Sequence, residues 1–568
     1  MSGVTRYRNI FWAKLWRLNC ARLRNTLKLI DENRYRNIAM RLVSETFAMP
    51  KLVDVLRLKG NPFEHYVAET EPDIAEYAVK PPYFAAIEAR AKNTSSFVLF
   101  GDRGAGKSAT RLTVFKDLWS KKAAGENVPL AVNMTDFSAV VQGKNFQDHS
   151  EQTLVKEVAF IVIESLLAWL SALDEDERKI FLEAMTGEES SLCYQLLRDC
   201  YVSRPEAKRS KSAREAMTLL NQAFVKRNQL WVERRWDAIA VLFGSIVEAL
   251  SRRHVGVDGV GKGTAAVLAK ESSEFDSILL LRHLVDMAQI FAFSGIVILI
   301  DKVDETQATN NSADHTATLI HPLLSHVQLM EIQNFSWIFF LWGRVKGVFE
   351  SGTAPVRLDK IGHATVSWDD EFLLLMLDKR VRYYSEGRHD LAGMFASEVV
   401  VDQIKGEIVS LSMRSPRELI RLMDVLVREH DMIFSEENTT TLLNHDSIQQ
   451  GLDKYATDVI STIYGDRLLS QIFRLNKITF TNKDVQLTFR VGAQSARTRI
   501  QSWENAGILR LSGTRAAEGA LGGKPANEYT IVDTRVERVM RRQLIAYPDG
   551  VIEEPEFALE VAAETHKS

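Results

Sequence analysis

The chain has 568 residues, which gives a prior of roughly three to four domains. With 46% hydrophobic and 26% charged residues it suits a soluble globular protein with large buried cores, and it excludes a disordered tail protein, a collagen-like fibre and a disulfide-stapled miniprotein. The net charge of −3 is uneven: +9 over residues 1–60, −14 over 61–469, +7 over 470–543 and −5 over 544–568. An acidic body with basic ends puts any nucleic-acid contact at the ends, although solvated helix faces would give the same counts. Cys20, Cys193 and Cys200 are too few and too scattered for a disulfide framework, so a reducing cytoplasm is expected. No segment is expected to span a bilayer. The most apolar helical stretch, 158–173, is short and carries Glu164, and the N-terminus lacks a signal-peptide core.

Residues 1–60 read as basic helices, with aromatic and leucine positions between the charges. The pattern breaks at Gly60-Asn61-Pro62, and a linker with Pro72, Pro81 and Pro82 follows. Residues 96–100 form a short apolar strand that ends at a glycine-rich turn, with a helix from Lys107. A second strand is expected at 128–134. Residues 150–250 read as helical, with an exposed loop at 204–211, and form an insertion on one side of the sheet. The continuous apolar run 295–300 is typical of a central parallel strand covered on both faces. Further strands are expected at 335–341 and 363–368, and helices over 370–432. Strands alternating with helices predict an α/β fold with a parallel sheet, and the later helices a second layer or lid.

Gly101-Asp102-Arg103-Gly104-Ala105-Gly106-Lys107-Ser108 fits G-x-x-x-x-G-K-[ST] at every fixed position, between a strand and a helix. Glycines let the backbone wrap a phosphate with consecutive N–H groups, and the helix N-terminus adds a positive dipole. Lys107 would then reach the β- and γ-phosphates of ATP, and Ser108 would ligate Mg²⁺. A second glycine-rich stretch, 256–264, has Gly263 where the metal-binding hydroxyl should stand and no strand before it, so it reads as a loop. The strand 295–300 runs into Asp301-Lys302-Val303-Asp304-Glu305. Asp301 fits the metal side. Glu305, or Asp304 beside it, fits the group that orients or deprotonates water. The alternative is that these acids cap the next helix.

A phosphate loop, a D-x-x-D-E motif and a strand between them resemble an ASCE P-loop ATPase. Within that group the chain is similar to the AAA+ and STAND branches, with NACHT-like spacing of the acids; Lys302 stands where NACHT proteins carry a small residue. The resemblance implies a sensor 1 role for Arg344, at the end of the strand 335–341. Residues 412–419 resemble the sensor 2 region of origin-recognition-type proteins, which implies a lid role for Arg417; either arginine could instead make a surface salt bridge. Arg357 is a further candidate for an arginine finger offered to a neighbouring subunit. Tyr77, Pro81, Pro82 and Tyr83 are candidates to wall the adenine. Asp301 lies 194 residues after Lys107, because the helical insertion intervenes.

After a long helix ending near Leu475, Thr481 and Asp484 cap a new helix, and 494–506 form a second with Ala496, Ile500 and Trp503 on one face, closed by Gly507. A glycine-rich hairpin, 513–524, returns through a strand at 529–532. This resembles a winged helix-turn-helix, which implies DNA contact through Arg497 and Arg499 on the exposed side and Arg515 and Lys524 in the wing; such domains also dock proteins. His254, His315, His321 and His326 lack partners at ligand spacing, and no serine or cysteine nucleophile motif stands out.

The expected organisation is basic N-terminal helices (1–60), an ATPase core (61–369), a helical lid (370–445), a winged-helix domain (446–543) and an acidic tail (544–568). The expected function is an Mg²⁺-dependent ATPase switch that forms a homo-oligomer and acts on DNA or an effector protein, with bacterial antiphage-defence ATPases among its relatives. The alternatives are a DNA-binding initiator or regulator that uses ATP only as a conformational ligand, and a non-catalytic scaffold that assembles on ATP.

Overall fold

A computed structural model of the chain describes residues 51–71, 73–141, 151–173, 175–202, 276–351, 354–437, 442–515 and 525–545. The basic residues 1–50, the loop expected at 204–211, the glycine-rich stretch 256–264, Lys524 and the tail from 546 lie outside them. Five parallel strands form the central sheet: β1 (Phe97–Gly101), β2 (Leu130–Met134), β3 (Ile296–Ile300), β4 (Phe335–Trp342) and β5 (Gly362–Thr365), in the order β2-β3-β4-β1-β5. Every residue of β1 and β3 is buried, as continuous apolar runs covered by helices on both faces require. At the sheet edge, β5 alternates half-buried and exposed residues and ends at Thr365, three residues short of the expected strand. Because β4 lies between β1 and β3, their carboxyl ends open side by side on one rim, which is where parallel sheets bind ligands.

Helices α1 (Pro82–Lys92), α2 (Lys107–Ala123), α3 (Glu151–Ala172), α4 (Ser277–Ile290), α5 (Ala313–Leu324) and α6 (Gly343–Ser351) clothe the sheet. Trp119 of α2 fills the space beside β2 and donates its indole N–H to Ala131 O at 3.1 Å, which satisfies its one polar group. The helical insertion is more than an appendage. Leu154, Val155, Val158 and Ile163 of α3 belong to the same core as the strands, packed between β2 and α4.

The lid consists of α7 (Asp370–Tyr384), α8 (Val401–Leu411), α9 (Pro416–Glu437) and the first half of α10 (His445–Leu475). Its core also takes Leu52, Leu56 and Phe63, so the segment expected to end the N-terminal helices and open the ATPase core is a strap on the lid. Polar contacts fasten it: Leu52 N donates to Asp431 Oδ1 at 2.8 Å, and Asn61 Nδ2 to Asp424 Oδ1 at 2.7 Å. Deeper still, Arg380 pairs with Glu71 at 2.8 Å, the two side chains 4% and 1% exposed.

Helix α10 bends at Gly465 and continues into the third core. There Phe480, Ile500 and Trp503 pack among α11 (Asn482–Phe489), α12 (Ala493–Asn505) and the antiparallel sheet of β6 (Thr479–Thr481), β7 (Leu509–Arg515) and β8 (Ala526–Ile531), ordered β6-β8-β7. This is a winged helix. Thr481 and Asp484 form the expected capping box, and Gly507 takes φ +78° after α12. A last helix, α13 (Thr534–Arg542), folds back on the lid, with Arg538 Nε on Asp453 Oδ1 at 2.7 Å. Among the described residues no helix is long and apolar enough to cross a membrane.

Removing one partner of a buried ion pair leaves the other charged and unsolvated. Arg380→Ala is therefore expected to cost about 3–5 kcal/mol in a denaturant titration. Arg382→Ala, on the exposed face of the same helix, should cost about 1 kcal/mol or less. Equal costs would contradict the strap's anchoring role.

Candidate nucleotide-binding site

The loop after β1 turns on two left-handed glycines, Gly104 (φ +80°) and Gly106 (φ +87°), the second being the N-cap of α2. Both are closely covered. A Cβ on Gly104 would stand 2.8 Å from Arg417 Cβ, and one on Gly106 would stand 3.3 Å from the Trp368 ring. Trp368 donates its indole N–H to Ala105 O at 2.9 Å, and Arg417 N donates to Gly104 O at 3.3 Å. Lys107 Nζ donates to Gly101 O at 2.8 Å and Asp102 O at 3.0 Å, which holds the ammonium in the loop. Burial lowers its pKa, against the opposing pull of Asp301, Asp304 and Asp102.

Between loop and lid lies a cavity of about 490 Å³. Its polar lining includes Arg103, Lys107, Ser108, Asp301, Asp304, Glu305 and Arg417. Its apolar lining includes Tyr77, Val79, Tyr83, Phe84, Met376 and Ile420; of the expected aromatic wall Tyr77 and Tyr83 reach the cavity, while Pro81 and Pro82 do not. Tyr77 donates to Glu71 and lies 4.6 Å from the Tyr383 ring, so the strap fixes this wall too. Burial pushes the Tyr83 hydroxyl up to about 12, so it is neutral at physiological pH.

Asp301 is buried at the end of β3, and each carboxylate oxygen has a donor: Oδ1 accepts from Lys302 N at 2.9 Å, and Oδ2 from Arg111 Nε at 3.0 Å. Arg111 also donates to Glu69 Oε1 at 2.9 Å, which Lys302 Nζ meets at 2.9 Å. This quartet, with Arg111 and Asp301 buried and Glu69 and Lys302 half-buried, binds the strap to both walls. Asp304 accepts from Arg103 at 3.1 and 3.2 Å. Glu305 is exposed on the cavity wall, and its carboxylate has no hydrogen-bond or ion-pair partner among the described residues.

Arg344 does not join them. It is exposed, 5.1 Å from the Trp342 ring centroid, and does not line the cavity. Arg357 is exposed and paired with Asp359 at 2.7 Å. In the winged helix Arg497 is exposed, but Arg499 is half-buried with its guanidinium 4.8 Å from the Phe489 ring centroid, so the two do not present one uniform face. Arg515 pairs with Glu528 at 2.7 Å. Among the described residues no cluster of three or more His, Cys, Asp or Glu is placed to hold a metal ion.

Several site residues escaped the sequence reading. Arg111 lies four residues after Lys107, one helical turn on, a spacing that could have flagged it. Outside the cavity lining, Asn133 sits in register with Leu299, two residues before Asp301, with both polar side-chain atoms buried and unpartnered among the described residues. Its position on β2 gave no signal. Neither did Glu69 or Trp368.

The glycine loop, the acids at the end of β3 and the strand inserted between β1 and β3 define an α/β P-loop fold of ASCE topology, with a lid and a C-terminal winged helix. No protein-family model matches the chain, and no curated protein matches it. Solved structures similar to it are the Aeropyrum pernix ORC1 protein in complex with DNA (12% identity, 86% of this chain and 97% of that chain, TM-score 0.32), the Aeropyrum pernix ORC2 protein in ADPNP–ADP complexes (9%, 84% and 99%, 0.36), and CDC6P from Pyrobaculum aerophilum (11%, 84% and 99%, 0.30).

Gly104 tests the contact between loop and lid. Gly104→Ala suffers the left-handed backbone penalty of about 1–2 kcal/mol and the collision with Arg417 as well. Gly125, at φ +85° with nothing within 4 Å of its added Cβ, isolates the backbone penalty alone. In thermal unfolding Gly104→Ala should be clearly the more destabilised of the two; equal losses would contradict the packing at Gly104.

Proposed function

We propose that this chain is an Mg²⁺-dependent ATP-binding and ATP-hydrolysing switch. One observation carries the reading: a phosphate loop, acids from the end of a parallel strand and a lid arginine line the same cavity. The amides of the loop and the N-terminus of α2 cradle the phosphates, and Lys107 adds a fixed positive charge. The Ser108 hydroxyl and Asp301 carboxylate fit Mg²⁺, a hard cation that takes one or two protein oxygens and fills its other positions with water and phosphate. When bound, that ion neutralises charge on the phosphates. Arg111 and the Lys302 amide orient the Asp301 carboxylate towards this task. Glu305, with no other partner among the described residues, orients the attacking water and takes its proton, whereas Asp304 is committed to Arg103. The apolar lining receives the adenine. Arg417 closes the lid on the phosphates, ATP favours assembly of copies, and hydrolysis resets the switch. The output passes to DNA or to a partner effector, as in ATPases of antiphage defence.

Exposure of Arg497 on α12, among Gln494, Ser495, Thr498 and Gln501, favours DNA contact through the winged helix.

Phosphate release from Mg·ATP tests the reading. Wild type should turn over. Lys107→Ala should lose nucleotide binding, and Glu305→Gln should keep binding but slow release by about 10²–10⁴-fold. Binding without turnover in wild type would replace the ATPase with a nucleotide-dependent scaffold. In the same preparation, duplex DNA should bind with a steep salt dependence that Arg497→Glu abolishes; unchanged binding would remove DNA from the account.

A further inference from the structure

Arg103 is the third residue of the phosphate loop, and its side chain lines the cavity. Its Nε and Nη2 reach Asp304 Oδ2 at 3.2 and 3.1 Å, and Nη2 also reaches Asn311 Oδ1 at 2.7 Å. The guanidinium carbon lies 4.5 Å from the Trp342 ring centroid. Two hydrogen-bond partners and a ring therefore fix a planar cation in one orientation. Nη1 carries two further N–H groups and donates to nothing among the described residues. The side chain is 40% exposed, against 10% for Asp304, and it lines the cavity together with Lys107 and Glu305.

Other cations of the cavity have partners or places of their own. Lys302 is held by Glu69, and Arg380 by Glu71. Lys107 is held by the loop's own carbonyls, and Arg417 is set on Gly104 from the lid side. Arg103 alone among them pairs with the acidic motif that carries Glu305, the residue assigned to the attacking water. Water attacks the terminal phosphoryl group, so a cation tied to that motif lies at the terminal end of a bound triphosphate, where charge accumulates during transfer. Arg344, which the family resemblance points to for this task, stays outside on the same Trp342 ring.

We propose that Arg103 reads the terminal phosphate: its free Nη1 donates to a terminal phosphoryl oxygen, so the site favours a nucleoside triphosphate over a diphosphate. The proposal rests on the nucleotide-binding reading above and adds the residue that discriminates between the two ligands. Because Asp304 and Trp342 already fix the guanidinium, little side-chain freedom remains to be lost on binding.

The test is calorimetric titration of the full chain with Mg·ADP and with a non-hydrolysable Mg·ATP analogue. Arg103→Gln should weaken the triphosphate analogue by about 10- to 100-fold and the diphosphate by about two-fold or less, the loss expected for one hydrogen bond to a charged group. Arg103→Lys keeps the charge without the fork, stays closer to the native packing, and should show the same selectivity with a smaller loss. Equal weakening of both nucleotides would make Arg103 a structural part of the cradle and overturn the proposal. So would an unchanged ratio, or a selective loss in Arg344→Gln in place of Arg103→Gln. If wild type binds neither nucleotide, the nucleotide reading falls with it; if wild type binds both and the ratio does not move, only the proposal falls.

Discussion

The phosphate loop and the lid are in direct contact at Gly104. A side chain at Gly104 would overlap Arg417, so the loop and the N-terminus of α9 touch through backbone and Cβ atoms. The cavity exists because this contact and the Trp368 bond to Ala105 bring the lid over the loop from one side while β1 and β3 support it from below. The strap over residues 51–71 completes the enclosure. It shares the lid's core and reaches the sheet through Glu69, which bonds Arg111 and Lys302 at once. Sheet and strap thus meet around one set of charges, and strap and lid around another, the Arg380–Glu71 pair.

The same contact has a continuous route to the winged helix. Glu418 follows Arg417 on α9 and accepts from Tyr455 of α10 at 2.8 Å. Further along α10, Tyr464 donates at 2.6 Å to Asp533, which also holds Arg535 at the start of α13. Helix α10 contributes Leu452 and Tyr455 to the lid core and Ile472 and Leu475 to the winged-helix core. Lid and winged helix thus share α10, which is interrupted at Gly465, where φ is +70°. The buried Asp533–Arg535 pair fixes the far end.

What could be read from the sequence was local or fully buried. The phosphate loop is legible because its spacing is set by wrapping one phosphate, and the strands 97–101 and 296–300 because burial on both faces leaves no room for polar residues. Thr481 and Asp484 are legible as a cap for the same local reason. The quartet of Arg111, Asp301, Glu69 and Lys302 is not, since its members come from segments brought together only by the fold. Arg499 misleads in the opposite direction: helical spacing marks it as exposed, but Phe489 offers its ring as a partner. Arg344, to which the resemblance gives a sensor role, lies beside the Trp342 ring and does not line the cavity.

Hydrogen–deuterium exchange on the full chain, with and without Mg·ATP, tests most directly the claim that the lid closes over a nucleotide held by the loop. Joint protection of residues 101–108, 415–420 and 66–71 is expected if loop, lid and strap enclose the same ligand. Exchange unaffected by nucleotide in all three segments, or protection of the loop with the lid and strap unchanged, would contradict it.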